Sequence, residues 1–353
     1  MNWLNVFSRQ IVILIFSVFI ISLPVFASDH PAIEEKTAEE FVAGEFIIDH
    51  IKDSHDWHII TKKNGEHVSV YLPVILYSKT SGLHFFMSGK LAHGHSHNGF
   101  KYSEGTGKIV ETNENGEITG TPLDFSITKT VAGMILAALI ILFLFLKMGR
   151  TYGRKKNIIP KGFNGFLEPM IVFIRDEIAI PNIGHHKFER FMPYLLTAFF
   201  FILVNNIMGL IPFFPFGANV TGNIAVTMVL ALITFFITQI SGTKDHWKHV
   251  FATPGVPVWL APIMIPVELI GLFSKPFALM IRLFANITAG HIVVLSLVSL
   301  IFIFKALWVS SVSIPMVLFI DVLEILVAFL QAYVFTLLSA LFIGLAAKEH
   351  HHA

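Results

Sequence analysis

The stretch 268-ELIGLFSKPFALMIRLFANITAGH-291 decides the fold of this chain. It lies inside an apolar run from 258 to 304, which as an α-helix would be about 70 Å long, more than twice a ~30 Å hydrocarbon core. Such a run must tilt, lie partly flat or break, and we expect a long, tilted membrane-spanning helix. A charged side chain such as that of Arg282 costs about 2.5 to 3.5 kcal/mol at the centre of a span, and its presence there indicates an ion route.

A second overlong apolar stretch occupies 306–347 and carries Asp321, Glu324 and Gln331. Glu324 and Gln331 are seven positions apart, about 20° off one line on a helix, so both can face one neighbouring helix. Asp321 lies one turn before Glu324. This stretch therefore predicts a second long, tilted span with a polar side.

Polar residues of the first long span fall on two sides of the predicted helix. Arg282, Asn286 and Ala289 lie within about 60° of one another at 100° per residue, and Ala278 and Ala285 flank the same stripe. Small residues beside a lone arginine allow another helix to approach closely. His291, nine positions after Arg282, lies about 180° around and is expected to serve a different surface.

Three shorter spans are predicted near 127–147, 191–213 and 223–241. No Asp, Glu, Lys or Arg occurs from Phe191 to Thr243, and a Pro- and Gly-containing turn divides that run into two spans. Basic residues cluster at 147–161 and 244–248, which places those loops and the C-terminus in the cytoplasm. Residues 127–353 thus form a domain of about five transmembrane helices.

The N-terminal part is expected to be exported. Residues 1–27 have the basic, apolar and small-residue regions of a signal peptide, with cleavage after Ala27; an uncleaved membrane anchor is the alternative, and either one would export the chain from residue 28 onward. Residues 28–126 hold no apolar run long enough to span, and Asn64-Gly65 and Asn115-Gly116 predict tight hairpin turns. We expect a small β-rich periplasmic domain in a multi-pass protein of the bacterial inner membrane.

Composition narrows the class of protein. Hydrophobic residues make up 54% and charged residues only 14%, as in a membrane protein, and the net charge of +1 gives no reason to expect a nucleic-acid partner. The absence of cysteine excludes disulfides and thiolate chemistry. His93, His95 and His97 could bind a divalent metal, but Gly94 favours a solvated loop, and no metal or other cofactor is expected.

The motif around Arg282 resembles the signature of the a subunit of F-type ATP synthases, the stator half of the proton channel. The resemblance continues in Leu330-Gln331-Ala-Tyr-Val-Phe, in Ile174-Arg-Asp-Glu-Ile-Ala and in Asn205-Asn-Ile-Met-Gly-Leu-Ile-Pro. It covers roughly 127 to 348, and the signal sequence and outer domain are an extension that many members of the family lack.

The resemblance implies a function and a set of site residues. Arg282 corresponds to the family's essential arginine, which faces the carboxylates of a rotating ring of c subunits, with two half-channels leading to it. The proton pathway is expected to use Asn286, His291, Glu324, Gln331, Glu268 and Asp321. The implied partners are the c ring, the b-subunit peripheral stalk, the other synthase subunits and the lipid bilayer, and the chain is a non-catalytic subunit.

Two positions depart from a common pattern of the family. Some members have an acid where this chain has His291, and a histidine where it has Glu324, so the pair looks exchanged. Because an acid and an imidazole both remain, we expect a proton relay to survive, with the order of proton acceptance open.

The sequence suggests two alternative functions. A secondary ion transporter with a charged midplane site is the main alternative, but such proteins often show two similar halves, and no repeat relates 127–243 to 255–347. A membrane-anchored binding protein would leave Arg282, Glu324 and Gln331 unexplained. The sequence leaves open the ion (H⁺ or Na⁺), the size of the c ring and the role of the N-terminal domain.

Overall fold

The computed structural model describes residues 44, 47, 48, 51–61, 67–103, 107–113, 117–154, 162–211, 214–251, 260–304 and 306–348. The predicted signal sequence at 1–27 and both Asn-Gly turns lie outside these residues. The described chain has a β-rich N-terminal domain and, after it, long apolar helices. The predicted fold class, a polytopic helical membrane protein with a small β-rich N-terminal domain, is confirmed.

The N-terminal domain consists of short antiparallel strands in three small sheets. The sheets have the orders β1-β2, β4-β3-β8 and β5-β6-β7. Their strands are β1 (Asp56–Thr61), β2 (His67–Tyr71), β3 (Pro73–Ser78), β4 (Gly82–Met87), β5 (Phe100–Tyr102), β6 (Ile109–Thr112), β7 (Ile118–Gly120) and β8 (Leu123–Asp124).

Alternation along β3 builds the core of this domain. Val74 and Leu76 point inward and are fully buried, while Tyr77 is exposed on the other face, as the period of two in a strand requires. Val74 and Leu76 form one apolar cluster with Phe86, Leu91, Phe100 and Ile109.

An ionic contact joins the two ends of the domain. His55, just before β1, places Nε2 2.8 Å from Oδ2 of Asp124 in β8. Burial raises the pKa of the Asp124 carboxyl, but the hydrogen bond to His55 and its charge outweigh burial, so the pKa lies below its usual value. The contact holds the start of the domain beside the segment that leads into the first helix.

The C-terminal part of the described chain is helical. The helices are α1 (Lys129–Arg154), α2 (Phe163–Phe173), α3 (Ile180–Ile183), α4 (Phe188–Leu210), α5 (Ile224–Ile240), α6 (Lys244–Phe251), α7 (Ala261–Phe304) and α8 (Leu307–Ala347). A π-helical segment, Ile174–Ala179, connects α2 to α3.

Four helical segments of the described chain are long and apolar enough to cross a bilayer: Lys129–Gly153, Phe188–Leu210, Pro262–Phe304 and Trp308–Ala347. Helix α5 is apolar as well, with 17 residues. Helices α7 and α8 contain 44 and 41 residues, and α7 stays helical through Pro266 and Pro276. The overlong apolar stretch therefore forms one unbroken helix from 261 to 304.

Helix α4 occupies the centre of the helical domain. Every residue from Phe191 to Leu203 is buried. The ring of Phe200 packs edge-on against Phe145 of α1 at 5.0 Å, and that of Phe199 against Phe329 of α8 at 5.8 Å. Aromatic side chains thus fill the space between α4 and both neighbours.

Candidate functional site

Two amides join the long helices near their middle. Nδ2 of Asn286 in α7 donates a hydrogen bond to Oε1 of Gln331 in α8 over 2.8 Å. Gln331 is buried, whereas Asn286 is exposed. The pair sets the relative position of α7 and α8, because sliding either helix by one turn would separate the two amides.

Arg282 lies one turn before Asn286 on an open face of α7. Its side chain is exposed, and it has no hydrogen bond or ion pair with the residues that the structure describes. The buried side of this part of α7 is formed instead by Leu279, Leu283 and Ile287. The alanines of the predicted stripe are exposed on the same side as Arg282, namely Ala278, Ala285 and Ala289.

Glu324 of α8 reaches across to the backbone of α7 at Gly290. A Cβ atom at position 290 would collide with Oε1 of Glu324, so any other residue there would displace the carboxyl group. Oε1 is buried and has no hydrogen-bond partner among the described residues. The carboxyl group is thus seated beside the residue that precedes His291.

His291 points toward α4, away from the open face that carries Arg282. Its Nε2 lies 3.8 Å from where a Cβ atom at Gly209 would be. This nitrogen is also buried and lacks a hydrogen-bond partner among the described residues. The carboxyl group of Glu324 therefore lies against Gly290, and His291 occupies the next position of α7. The two side chains share no hydrogen bond.

The other two predicted pathway residues, Asp321 and Glu268, lie at different heights along the long helices. Asp321 is one turn before Glu324 and half-buried, so it belongs to the same region. Glu268 is fourteen residues before Arg282, about 21 Å along the helix, and does not join this group.

Sequence reasoning did not single out several other buried polar residues of the helical domain. Side-chain atoms of six residues in the helical domain are buried without a hydrogen-bond partner in the described chain: Asn205, Asn206, Asn219, Thr288, His291 and Glu324. They come from the end of α4, the α4–α5 loop, α7 and α8. Consecutive asparagines in a charge-free apolar helix were the available signal, because an amide in such a helix is costly unless it serves a purpose.

A small cavity lies near the opposite end of the same helices. Its lining comes from α5, α7 and α8 and includes the polar side chains of Thr234, Thr238, Gln239 and Lys275. The Lys275 ammonium group lies 5.7 Å above the ring of Phe342. The charge is thereby held at the rim of the cavity.

Comparison with known families identifies the helical part of the chain. The family model described as ATP synthase A chain matches residues 131–344. The chain belongs to the ATP synthase A chain family. The predicted family is thereby confirmed, and with it the assignment as an a subunit, a non-catalytic membrane subunit.

Individual relatives agree with this assignment. ATP synthase subunit a of Chloroherpeton thalassium is 52% identical over 233 residues, covering 65% of this chain and 69% of the relative. The subunit of Myxococcus xanthus is 49% identical over 237 residues, covering 65% and 76%. That of Anaeromyxobacter sp. strain Fw109-5 is 46% identical over 255 residues, covering 70% and 60%.

The N-terminal domain matches a separate family model. Residues 46–125 match a domain of unknown function, DUF8433. The region is therefore a recognisable module fused ahead of the a-subunit sequence.

The histidines of this module do not form a metal cluster in the described part of the chain. Ser88–Gly94 forms a 3₁₀-helix, and Gly94 has a positive φ of 78°. Nδ1 of His95 lies 2.8 Å from the Ala92 carbonyl oxygen, and His97 packs edge-on against Phe86 at 5.3 Å. The geometry is that of a loop in which these two rings have separate partners.

Proposed function

We propose that this chain is the proton-translocating stator subunit of an F-type ATP synthase in a bacterial inner membrane, with Arg282 facing the carboxylates of a c-subunit ring. The observation that carries the proposal is the open stripe of α7, where an exposed arginine lies among exposed alanines. Small side chains let another helix come close, and an arginine in a span is costly unless it meets a negative partner. The b-subunit stalk and the remaining synthase subunits complete the proposed assembly.

Arg282 acts in this proposal as a fixed charge. A guanidinium group does not deprotonate in proteins, so it cannot relay a proton itself. A ring carboxylate beside it is held ionised, whereas the same carboxylate facing lipid is neutral because its charged form is poorly solvated there. Rotation of the ring past Arg282 therefore requires one proton to leave and another to arrive.

Two half-channels deliver and remove these protons. The buried and unpartnered atoms of Glu324 and His291 support an outer half-channel, because buried polar groups ordinarily have partners and such exceptions call for a functional reason. The cavity beside Lys275 supports an inner half-channel. Each proton that crosses contributes about 2.3 kcal/mol per 100 mV, so several are needed for each ATP made.

We expect Ala285→Cys to form a disulfide with a cysteine placed beside the ring carboxylate of the c subunit. Ala285 is exposed on the Arg282 stripe, and the chain contains no cysteine of its own, so the reaction reports a single position. Mild oxidation of membranes and then non-reducing electrophoresis measure the product. Leu139→Cys, which is 58% exposed on α1, is the matched control and should give little product. Equal yields from the two positions would mean that the Arg282 stripe is not the ring-facing surface.

A reporter fused after Ala347 is expected to be cytoplasmic. The basic residues at 147–161 and 244–248 place those loops inside, and α7 crosses once because it is unbroken from Ala261 to Phe304. Alkaline phosphatase and a fluorescent protein fused at this position give opposite signals on the two sides of the membrane. Phosphatase activity at this position would reverse the proposed orientation of α8.

A further inference from the structure

The N-terminal domain is attached to the helices through its first strand. Nε1 of Trp57 in β1 donates a hydrogen bond to the Phe216 carbonyl oxygen over 3.1 Å. The same indole ring packs edge-on against Phe214 at 5.5 Å. Trp57 is buried, so its contact with the α4–α5 loop is part of the packed interior and not a contact at the surface.

This loop is also part of the surroundings of His291. The Ala218 carbonyl oxygen lies 3.4 Å and Nε2 of His291 lies 3.8 Å from where a Cβ atom at Gly209 would be. On its other side, Ala218 packs closely against Gly133 of α1. The N-terminal domain therefore holds a loop that lies beside Gly209, the residue of α4 that His291 also approaches.

A charged group links the domain to His291 more directly. Oδ1 of Asp53 accepts a hydrogen bond from the Thr130 backbone N–H over 2.9 Å, and the Ser54 carbonyl oxygen accepts one from that of Lys129 over 2.8 Å. Asp53 is thereby bound next to Lys129, and Asp56 follows at the start of β1. Lys129 lies one helical turn before Gly133, which packs against Ala218 of the loop beside Gly209.

The signs of these charges have a consequence for proton uptake. A cation beside an imidazole disfavours the arrival of a proton there, because the two positive charges repel. Carboxylates held near the cation offset part of that repulsion. Asp53 and Asp56 belong to the N-terminal module, so this balance is available only in a chain that carries the module.

We propose that the N-terminal domain forms the mouth of the outer half-channel, with Asp53 and Asp56 balancing the charge of Lys129 above His291 and Trp57 holding the wall of the opening. The inference rests on the proposed function, in which protons reach the ring through His291 and Glu324. Asp53, Asp56 and Trp57 are positioning residues, since they act through Lys129 and the loop and touch no ring carboxylate.

The test replaces both carboxylates with amides, which have nearly the same shape and no charge. In Asp53→Asn/Asp56→Asn the amide oxygen of residue 53 can still accept the Thr130 hydrogen bond, so the fold is preserved and only charge is lost. We expect ATP synthesis driven by outer acidification of proteoliposomes containing the whole complex to fall about three- to tenfold at neutral outer pH. The outer pH for half-maximal rate should move downward by about half to one unit, since the unbalanced Lys129 charge opposes protonation of His291.

Adding Lys129→Gln to the double variant is expected to restore most of the rate and the original pH midpoint, because the cation and its counter-charges are then both absent. The charged and titratable groups that bear on His291 in the described residues are Lys129 and Glu324, with Asp321 beside Glu324 and the two carboxylates beside Lys129. A loss in the double variant that Lys129→Gln does not reverse would overturn the charge-balance role.

The matched control is Glu117→Gln, which removes one exposed negative charge from the same domain. It should leave both the rate and the pH midpoint unchanged. Wild-type behaviour of Asp53→Asn/Asp56→Asn would overturn the inference alone, provided that variants of His291 and Glu324 still fail. If those variants are also fully active, the proposed function itself is wrong.

Discussion

Arg282→Ala is expected to lower the rate of proton-driven ATP synthesis by about 100-fold or more in complexes that still assemble. A nearby positive charge changes the ionisation equilibrium of a carboxylate by about 10- to 1,000-fold, and without it a ring carboxylate arriving at the stator has no reason to release its proton. Assembly should survive because the Arg282 side chain is exposed and contributes nothing to the packing between α7 and α8. Synthesis in membrane vesicles, normalised to the amount of assembled complex, is the measurement.

Two further variants sharpen this prediction. Arg282→Lys should also be severely impaired, since an ammonium group can lose its proton when desolvated and lacks the planar fork of a guanidinium. Arg150→Ala removes an equally exposed arginine from the end of α1 and should keep most of the activity. Normal synthesis by the Arg282→Ala variant would mean that this charge is not required, and it would contradict the proposed mechanism.

His291→Glu and Glu324→His are each expected to impair proton conduction about tenfold, and the double exchange should recover part of the loss. The reason is that Glu324 lies against Gly290, next to His291, so the two groups share one small region of the proposed outer half-channel. Each single variant puts two like groups there, two acids or two imidazoles, whereas the double variant restores one of each. A pair that acts as a unit should show a coupling of about five- to thirtyfold.

Proton uptake into vesicles would be compared for the wild type, both single variants and the double variant at equal levels of assembly. Glu117→Gln again serves as a carboxylate control on the surface of the N-terminal domain. Losses that simply multiply in the double variant would show that His291 and Glu324 work independently, and the relay would then have to be divided between separate groups.

Much of the helical domain could be predicted from the sequence because the relevant rules are local. Helical spacing alone placed Arg282, Asn286 and the alanines on one side of α7 and His291 on another, and the exposed stripe and the contact of His291 with Gly209 agree with that arrangement. The common facing of Glu324 and Gln331 toward α7 came from their separation of seven. Helix geometry alone determines on which face a residue lies, and the positions of the neighbouring helices are not needed for this.

Tertiary partners were beyond this reasoning. Nothing in the spacing shows that Asn286 meets Gln331, that the Glu324 carboxyl group lies against Gly290, or that Asn219 of a loop is buried. These contacts depend on how α4, α7 and α8 pack, and linear sequence carries no distance between helices. Glu268 lies about 21 Å along α7 from Arg282, and its part in the proton pathway stays a prediction.

The bond between Trp57 and Phe216 also constrains the order in which the protein can be completed during synthesis. The two residues are 159 positions apart, so at about 5 to 20 residues per second the ribosome supplies the acceptor about 8 to 32 s after the donor. Asp53 meets the start of α1 much earlier, since only 77 positions separate it from Thr130. The N-terminal domain can therefore meet α1 before the α4–α5 loop has been synthesised, and the bond from the Trp57 indole forms later.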